Sequence, residues 1–107
     1  MIESDKSVRV SVILTSFNEG LHLNRILKDI SRQTYEDGLF EILLLEAGDY
    51  AEEAVRNHLG EKASSLLYWN IPGLGRTASL NRLVHESKGK LVVRLDAWTH
   101  ITPDYLE

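Results

Sequence analysis

Val8-Arg9-Val10-Ser11-Val12-Ile13-Leu14 runs directly into Thr15-Ser16-Phe17-Asn18-Glu19. The first seven residues are rich in β-branched side chains and read as a buried strand. The polar stretch ends it, and the Asn18 side-chain oxygen is placed to cap a following helix. Leu23, Ile26, Leu27 and Ile30 then recur at helical spacing, with Leu21 near the start. This helix is predicted to stop near Gln33, ahead of the turn residues Glu36-Asp37-Gly38.

The same alternation continues outward. Phe40-Glu41-Ile42-Leu43-Leu44-Leu45 is a second strand with Glu46 at its carboxyl end. An almost unbroken apolar run suits a strand covered on both faces, as in parallel sheets. Tyr50 to Leu59 reads as a helix carrying Ala51, Ala54, Val55 and Leu59, with Gly60 as its stop. Ser65-Leu66-Leu67-Tyr68-Trp69 is a third, weaker strand, followed by the loop Asn70-Ile71-Pro72-Gly73-Leu74-Gly75. Thr77 to Ser87 is helical and is expected to bury Ala78, Leu80, Leu83 and Val84, with Gly89 ending it. Leu91-Val92-Val93-Arg94-Leu95 is the fourth strand, ending at Asp96. Thr102-Pro103 is expected to open another helix, with Pro103 at its first position.

The order βαβαβαβ predicts an α/β, Rossmann-like fold: a mainly parallel four-stranded sheet with helices on both faces. Ligands in such sheets bind beyond the carboxyl ends of the strands. The polar groups there are Thr15, Ser16, Asn18, Glu19, Glu46, Asp49 and Asp96, with the loop after Trp69. Carboxylates end both the second and the fourth strand. That suits hydrogen bonding to a base or ribose, or holding a divalent cation on a diphosphate.

Composition narrows the function classes. The 107 residues suit one domain, 1–107, with a single core. A folded chain of this mass should expose about 6,000 Å². The net charge of −4 advertises no nucleic-acid surface. With no cysteine, disulfides, thiolate catalysis and Cys-ligated zinc are excluded. The longest aliphatic run, Ile42-Leu43-Leu44-Leu45, is far short of the ~20 residues of a spanning helix. No membrane contact is expected of this segment, and a cytoplasmic setting fits. Neither a G-x-S-x-G elbow nor a Walker A loop is present.

Two ligand readings compete. Gly73-Leu74-Gly75-Arg76-Thr77-Ala78 fits G-x-G-x-x-A, and Asp96 follows at about the ~20-residue spacing of a dinucleotide (NAD) fingerprint. The strand, however, should run straight into the first glycine, and here Asn70-Ile71-Pro72 intervenes. The second reading uses the whole chain. Val10 to Glu19 resembles an opening strand with its P-x-Y-N-E turn. Ile30-Ser31-Arg32-Gln33-Thr34-Tyr35 is similar to an S-I-x-x-Q-T-Y helix end. Gly73 to Arg76 with Leu80-Asn81-Arg82 is similar to a G-x-x-x-A-x-N segment. Gly89 to Ala97 looks like the strand leading to an acidic motif, and Ile101 to Glu107 like the stretch after it. Together they resemble the N-terminal, nucleotide-sugar-binding half of family 2 glycosyltransferases with the GT-A fold. Val-Arg-Leu-Asp-Ala at 93–97 is closest to the bacterial exopolysaccharide, succinoglycan-type, branch.

The resemblance implies a nucleotide-diphospho-sugar as partner, with transfer of its sugar to a glycan or lipid-linked acceptor, mostly with inversion. Thr15, Asn18 and Glu19 would line the nucleotide pocket. Glu46 would stand where an aspartate usually meets the base, and Arg76 and Asn81 near the nucleotide-sugar. Asp96 would be the first acid of a D-x-D-like motif, sitting with Mg²⁺ or Mn²⁺ on the diphosphate. There are departures. Thr15 replaces a proline, Glu46-Ala47-Gly48-Asp49 replaces an Asp-rich turn, and Leu83 replaces a common glycine. Trp98 holds the third place of the acidic motif, where its indole cannot ligate a hard cation. His100, two residues on, is the alternative metal ligand. The family's catalytic core is roughly twice this length, and its general base lies beyond the equivalent of Glu107. No catalytic residue is therefore assigned, and the chain is expected to be a truncated donor-binding subdomain, inactive alone. Its open sheet edge is expected to favour self-association. At its full length the protein would work in the cytoplasm or at the cytoplasmic membrane face.

The plainer readings stand beside these. Glu46 and Asp96 also suit polar ends of buried strands, Gly73 and Gly75 a turn, and Arg76 an exposed first-turn position. His22, His58 and His85 show no paired ligand spacing, and Trp69 and Trp98 suit packing. A non-catalytic nucleotide-binding or interaction module is the alternative from another class. A receiver-like domain would want a tighter acidic cluster than Asp49 and Asp96 offer.

Overall fold

The computed structural model describes residues 8–35, 39–49, 52–96 and 101–106. Its elements are β1 (Val10–Ser16), α1 (Gly20–Ser31), β2 (Phe40–Glu46), α2 (Glu52–Leu59), a 3₁₀ segment (Gly60–Ser65), β3 (Leu66–Asn70), α3 (Arg76–Glu86) and β4 (Leu91–Asp96). The strands form one four-stranded sheet in the order β3-β2-β1-β4, and every pair is parallel. The expected α/β architecture is therefore present.

Side-chain alternation assigns the two faces. Val12 and Leu14 of β1 and Ile42 and Leu44 of β2 pack with Leu23, Ile26, Leu27 and Ile30 of α1 and Val55 and Leu59 of α2. The alternate residues Ile13, Leu43 and Leu45 face the other way, where Leu83 of α3 meets them. Both faces of β2 are thus covered, and all seven of its residues are buried. That is why its sequence is almost continuously apolar. The folded chain exposes 6170 Å², in line with its mass.

Two local expectations are corrected. In α3 the buried residues are Ser79 and Leu83, with Leu80 packed beside them; Ala78 and Val84 are exposed. Among the described residues α3 lies alone on its face, and it buries a narrow stripe. Ala78 and Val84 point about 140° and 100° away from Leu83 around the helix. The second correction concerns Thr102-Pro103, which opens a turn and no helix. The cause is Gln33, almost fully buried at the end of α1. Its Nε2 donates to Thr102 O at 2.8 Å, and its Oε1 accepts from Leu106 N at 3.1 Å. Thr34 N adds a bond to Pro103 O at 2.8 Å. These bonds pin residues 101–106 back onto α1.

At the amino ends of the strands, a buried polar knot ties α3 to the sheet. Ser11 Oγ donates to Glu41 Oε2 at 2.7 Å, Lys88 N donates to the same oxygen at 2.6 Å, and Gly89 N donates to Ser11 Oγ at 2.7 Å. A Cβ on Gly89 would stand 2.6 Å from Ser11 N. Gly89 therefore does more than end a helix: it lets the chain pass directly over β1. β4 is the outer strand next to β1, and Leu91 and Val92 on it are exposed. Among the described residues, no helix is long and apolar enough to cross a membrane.

Candidate functional site

The strand order reverses direction between β1 and β4, so the connections leave on opposite sides of the sheet there. In open α/β sheets this switch point leaves a crevice at the carboxyl ends. Register fixes what stands around it: Thr15 is opposite Asp96, Ser16 opposite Glu46, and Glu46 opposite Asn70.

The loops above these positions are held by Glu46. Its side chain is fully buried, and Oε2 accepts from Asn18 N at 2.8 Å and Gly48 N at 2.9 Å. Asn18 takes a left-handed backbone (φ 54°), which asparagine tolerates better than most residues. Its Oδ1 accepts from Asp49 N at 2.7 Å. Gly48 is required beside it, since a Cβ there would collide with Asn18 Oδ1 and stand 2.8 Å from Asn18 N. Asn70 Nδ2 completes the tie by donating to Glu46 O at 2.8 Å and Gly48 O at 3.0 Å.

Asn18 therefore does not cap α1. The N-cap is Glu19, and no side chain caps the helix. Glu19 instead reaches back, its Oε1 accepting from Phe17 N at 3.1 Å. The Asn18 oxygen is committed across the loop to Asp49, which outcompetes the local cap. Glu46 lies beneath the loop: its Oε2 is taken by two backbone amides, and its Oε1 is buried with no hydrogen-bond partner among the described residues.

Beside this loop is a cavity of about 160 Å³. Thr15, Ser16, Phe17 and Glu19 line it from β1 and its loop, Ala47 from the loop after β2, and Leu74, Arg76 and Ser79 from the start of α3. Gly73, with φ 81°, turns the chain into α3. The α3 N-cap, Gly75, has no side chain to satisfy the first-turn amides, so these face the site as a partial positive charge. Arg76 Nη2 lies 3.0 Å from Asp96 Oδ1, and Arg94 Nη2 lies 3.8 Å from the same oxygen. All three side chains are about half exposed. Exposed pairs of this kind contribute about 0–1 kcal/mol, so Arg76 can turn to an anionic ligand at little cost.

Of the residues picked from sequence, Thr15, Glu19 and Arg76 converge on the cavity, and Asp96 joins them through Arg76 and the register with Thr15. Asn18 shapes the loop from outside the lining, and Asn81 is exposed further along α3. Trp98 and His100 lie outside the described residues. Among the described residues no group of three or more acidic or histidine side chains could hold a metal, and Asp96 Oδ1 is shared by two guanidinium groups. Sequence reasoning missed Gly48, Leu74 and Ser79. Ser79 carried a signal only in its i+4 relation to Leu83. Gly48 and Leu74 are placed by contacts between distant loops.

The chain is similar to characterised and uncharacterised sugar-transfer proteins. It is 33% identical over 107 residues to an uncharacterized glycosyltransferase of Methanocaldococcus jannaschii, covering 98% of this chain and 37% of that protein. It is 28% identical over 100 residues to the cholesterol galactosyltransferase of Borreliella burgdorferi, covering 92% and 27%. The chain thus spans well under half the length of these relatives. Among solved structures, the mannosyltransferase of Pyrobaculum calidifontis in complex with GDP-Man and Mn²⁺ matches with TM-score 0.74 and 24% identity, over 86% of this chain and 28% of that one. TarS of S. aureus matches with TM-score 0.80 and 17% identity, over 92% and 18%. At those identities the structures speak for the fold alone. The sequence pattern of Glycosyl transferase family 2 matches residues 11–107, and the chain belongs to that family.

Proposed function

We propose that this chain is the donor-binding part of a glycosyltransferase. It takes a nucleoside diphosphate-activated sugar in the cavity at the β1/β4 switch point. In the complete protein the sugar passes to a hydroxyl of a glycan or lipid-linked acceptor, with inversion at the anomeric carbon. The observation that carries the reading is the convergence of Thr15, Glu19, Arg76 and the α3 N-terminus on one cavity at the carboxyl end of the sheet. An apolar wall of Phe17, Ala47 and Leu74 suits a base, and a cationic rim suits a diphosphate. Structures in the same fold group hold GDP-Man with Mn²⁺ and UDP-GlcNAc.

In this reading Arg76 leaves Asp96 for the diphosphate and offsets the charge that develops as the sugar departs. Asn18 and Glu46 keep the loop in shape, and Thr15 and Glu19 meet the nucleotide. Asn81 belongs to the same helix, close to the sugar side. A divalent cation, where one is used, would be held by Asp96 and His100 and would supply the same offset. The exopolysaccharide branch, the cytoplasmic setting and the general base outside this segment belong to the same proposal. The exposed Leu91 and Val92 on the outer strand support self-association of the isolated segment.

The test is an amide-shift titration of this chain with UDP and GDP, with and without Mg²⁺. Shifts confined to residues 15–19, 46–49, 73–81 and 96–100 are expected. NAD binding in their place would favour the dinucleotide reading. A well-dispersed spectrum with no shifts would sink the donor-binding one.

A further inference from the structure

Three charges from two elements meet at one oxygen. Arg76 opens α3, and its Nη2 donates to Asp96 Oδ1 at 3.0 Å. Arg94 precedes Asp96 on β4, and its Nη2 lies 3.8 Å from the same oxygen. Register explains the meeting. Arg94 is opposite Ile13 and Asp96 is opposite Thr15. Ile13 packs with Leu83 of α3, and Thr15 lines the cavity. Alternate residues of a strand share a face, so Arg94 and Asp96 both stand on the side of the sheet where α3 lies.

The two guanidinium groups differ in what they do there. Arg76 lines the cavity and holds the hydrogen bond to Asp96. Arg94, at 3.8 Å, attracts the carboxylate but is too far away to hydrogen-bond it. A move of under about 1 Å closes that gap, and with about half of each side chain in solvent little packing resists it. Arg94 therefore weakens the hold of Asp96 on Arg76 in two ways. It competes for the same oxygen, and its charge repels the other guanidinium.

We infer that Arg94 is a positioning residue, which takes over Asp96 when Arg76 turns to the diphosphate of the bound nucleotide. The inference rests on the donor-binding reading above. Ligand binding then exchanges one ion pair for another at the same carboxylate, and Arg76 reaches the phosphates with less to give up. Arg94 acts on the ligand through Asp96, so its effect on binding depends on the Asp96 charge. A residue that only supports the fold, or one that meets the phosphates itself, shows no such dependence.

The experiment is a double-mutant cycle of Arg94→Gln, Asp96→Asn and the two together. Each chain is titrated with UDP, GDP and inorganic pyrophosphate by NMR, without divalent cations. The salt is about 0.15 M, where charges more than about 8 Å apart are largely screened. Arg94→Gln should weaken pyrophosphate and the preferred nucleotide by about two- to fivefold. Asp96→Asn, which removes the competitor for Arg76, should strengthen both by a similar factor. Adding Arg94→Gln to Asp96→Asn should change nothing further. Unchanged binding in Arg94→Gln overturns the inference. So does an equal loss with and without the Asp96 charge, which would make Arg94 a direct phosphate contact. Weaker pyrophosphate binding in Asp96→Asn overturns it too, since Asp96 would then not be holding Arg76 back. A parent chain that binds neither UDP nor GDP overturns the donor-binding reading itself, and this inference with it. Binding by the parent with no coupling between Arg94 and Asp96 overturns the inference about Arg94 alone.

Discussion

Replacing Glu46 separates a loop organiser from a ligand contact. Its carboxylate is fully buried and receives two backbone N–H groups, from Asn18 and Gly48. In Glu46→Ala both amides lose their acceptor beneath a packed loop. Both donors are only partly buried, so at about 1–1.5 kcal/mol apiece the variant should lose about 2–3 kcal/mol. The whole domain is held by about 5–15 kcal/mol, so this is a large fraction. Glu46→Gln keeps the shape and one acceptor oxygen but gives up the charge-assisted character of both bonds. Its loss should be about 1–2 kcal/mol. Urea unfolding at neutral pH reads both values through the midpoint, with the slope unchanged if the unfolded state is unaffected. Nucleotide affinity should fall in Glu46→Ala because Asn18 and Phe17 no longer hold their places, and survive largely intact in Glu46→Gln. The reasoning is refuted if Glu46→Gln leaves the midpoint untouched yet abolishes UDP and GDP binding. That pattern would return Glu46 to the role of a direct base contact.

The other expectations follow from particular contacts. Gly89→Ala should destabilise the chain by about 1–3 kcal/mol, because the new Cβ meets backbone atoms of Val10 and Ser11 that cannot swing aside. Nucleotide binding below the unfolding transition should be unchanged, since Gly89 is at the far end of the sheet; a variant as stable as the parent would contradict the close approach. Arg76→Gln should weaken UDP and pyrophosphate binding alike by tenfold or more while shifting stability by less than about 0.5 kcal/mol, as for an exposed ion pair. Loss of UDP binding with pyrophosphate binding retained would place Arg76 away from the phosphates. The isolated 107-residue chain, given UDP- or GDP-sugars and a glycan acceptor, should bind donor and transfer no sugar; measurable turnover would show that the catalytic groups lie within it.

The fold was legible because its cause is local. A β-branched run, a turn, a helical stripe and a second apolar run each dictate an element by periodicity alone, and their order dictates a parallel sheet. β2 could be read as buried on both faces from its composition. α3 was legible as a helix but not in its orientation, since Ala78 and Val84 are apolar yet the neighbouring strands cover only the Ser79–Leu83 side. Pro103 is a fair helix-opening residue, and only the long-range bonds from Gln33 explain why a turn forms there.

The site divides along the same line. Residues at strand ends, Thr15, Glu19 and Asp96, were legible because a parallel sheet gathers the carboxyl ends of its strands whatever the loops do. Asn18 and Glu46 were found for their polarity, but their work was not legible, since it depends on two loops separated by 28 residues in sequence. A side chain that can cap a helix locally was instead taken by Asp49 N across that gap, and the helix start was left to Glu19. Local propensity loses here because the alternative satisfies three loop amides at once: Asn18 N and Gly48 N on Glu46, and Asp49 N on Asn18. A lone N-cap contributes about 1 kcal/mol, and unpaired amides under the loop would cost more than that. The two polar residues therefore hold the loops that border the cavity.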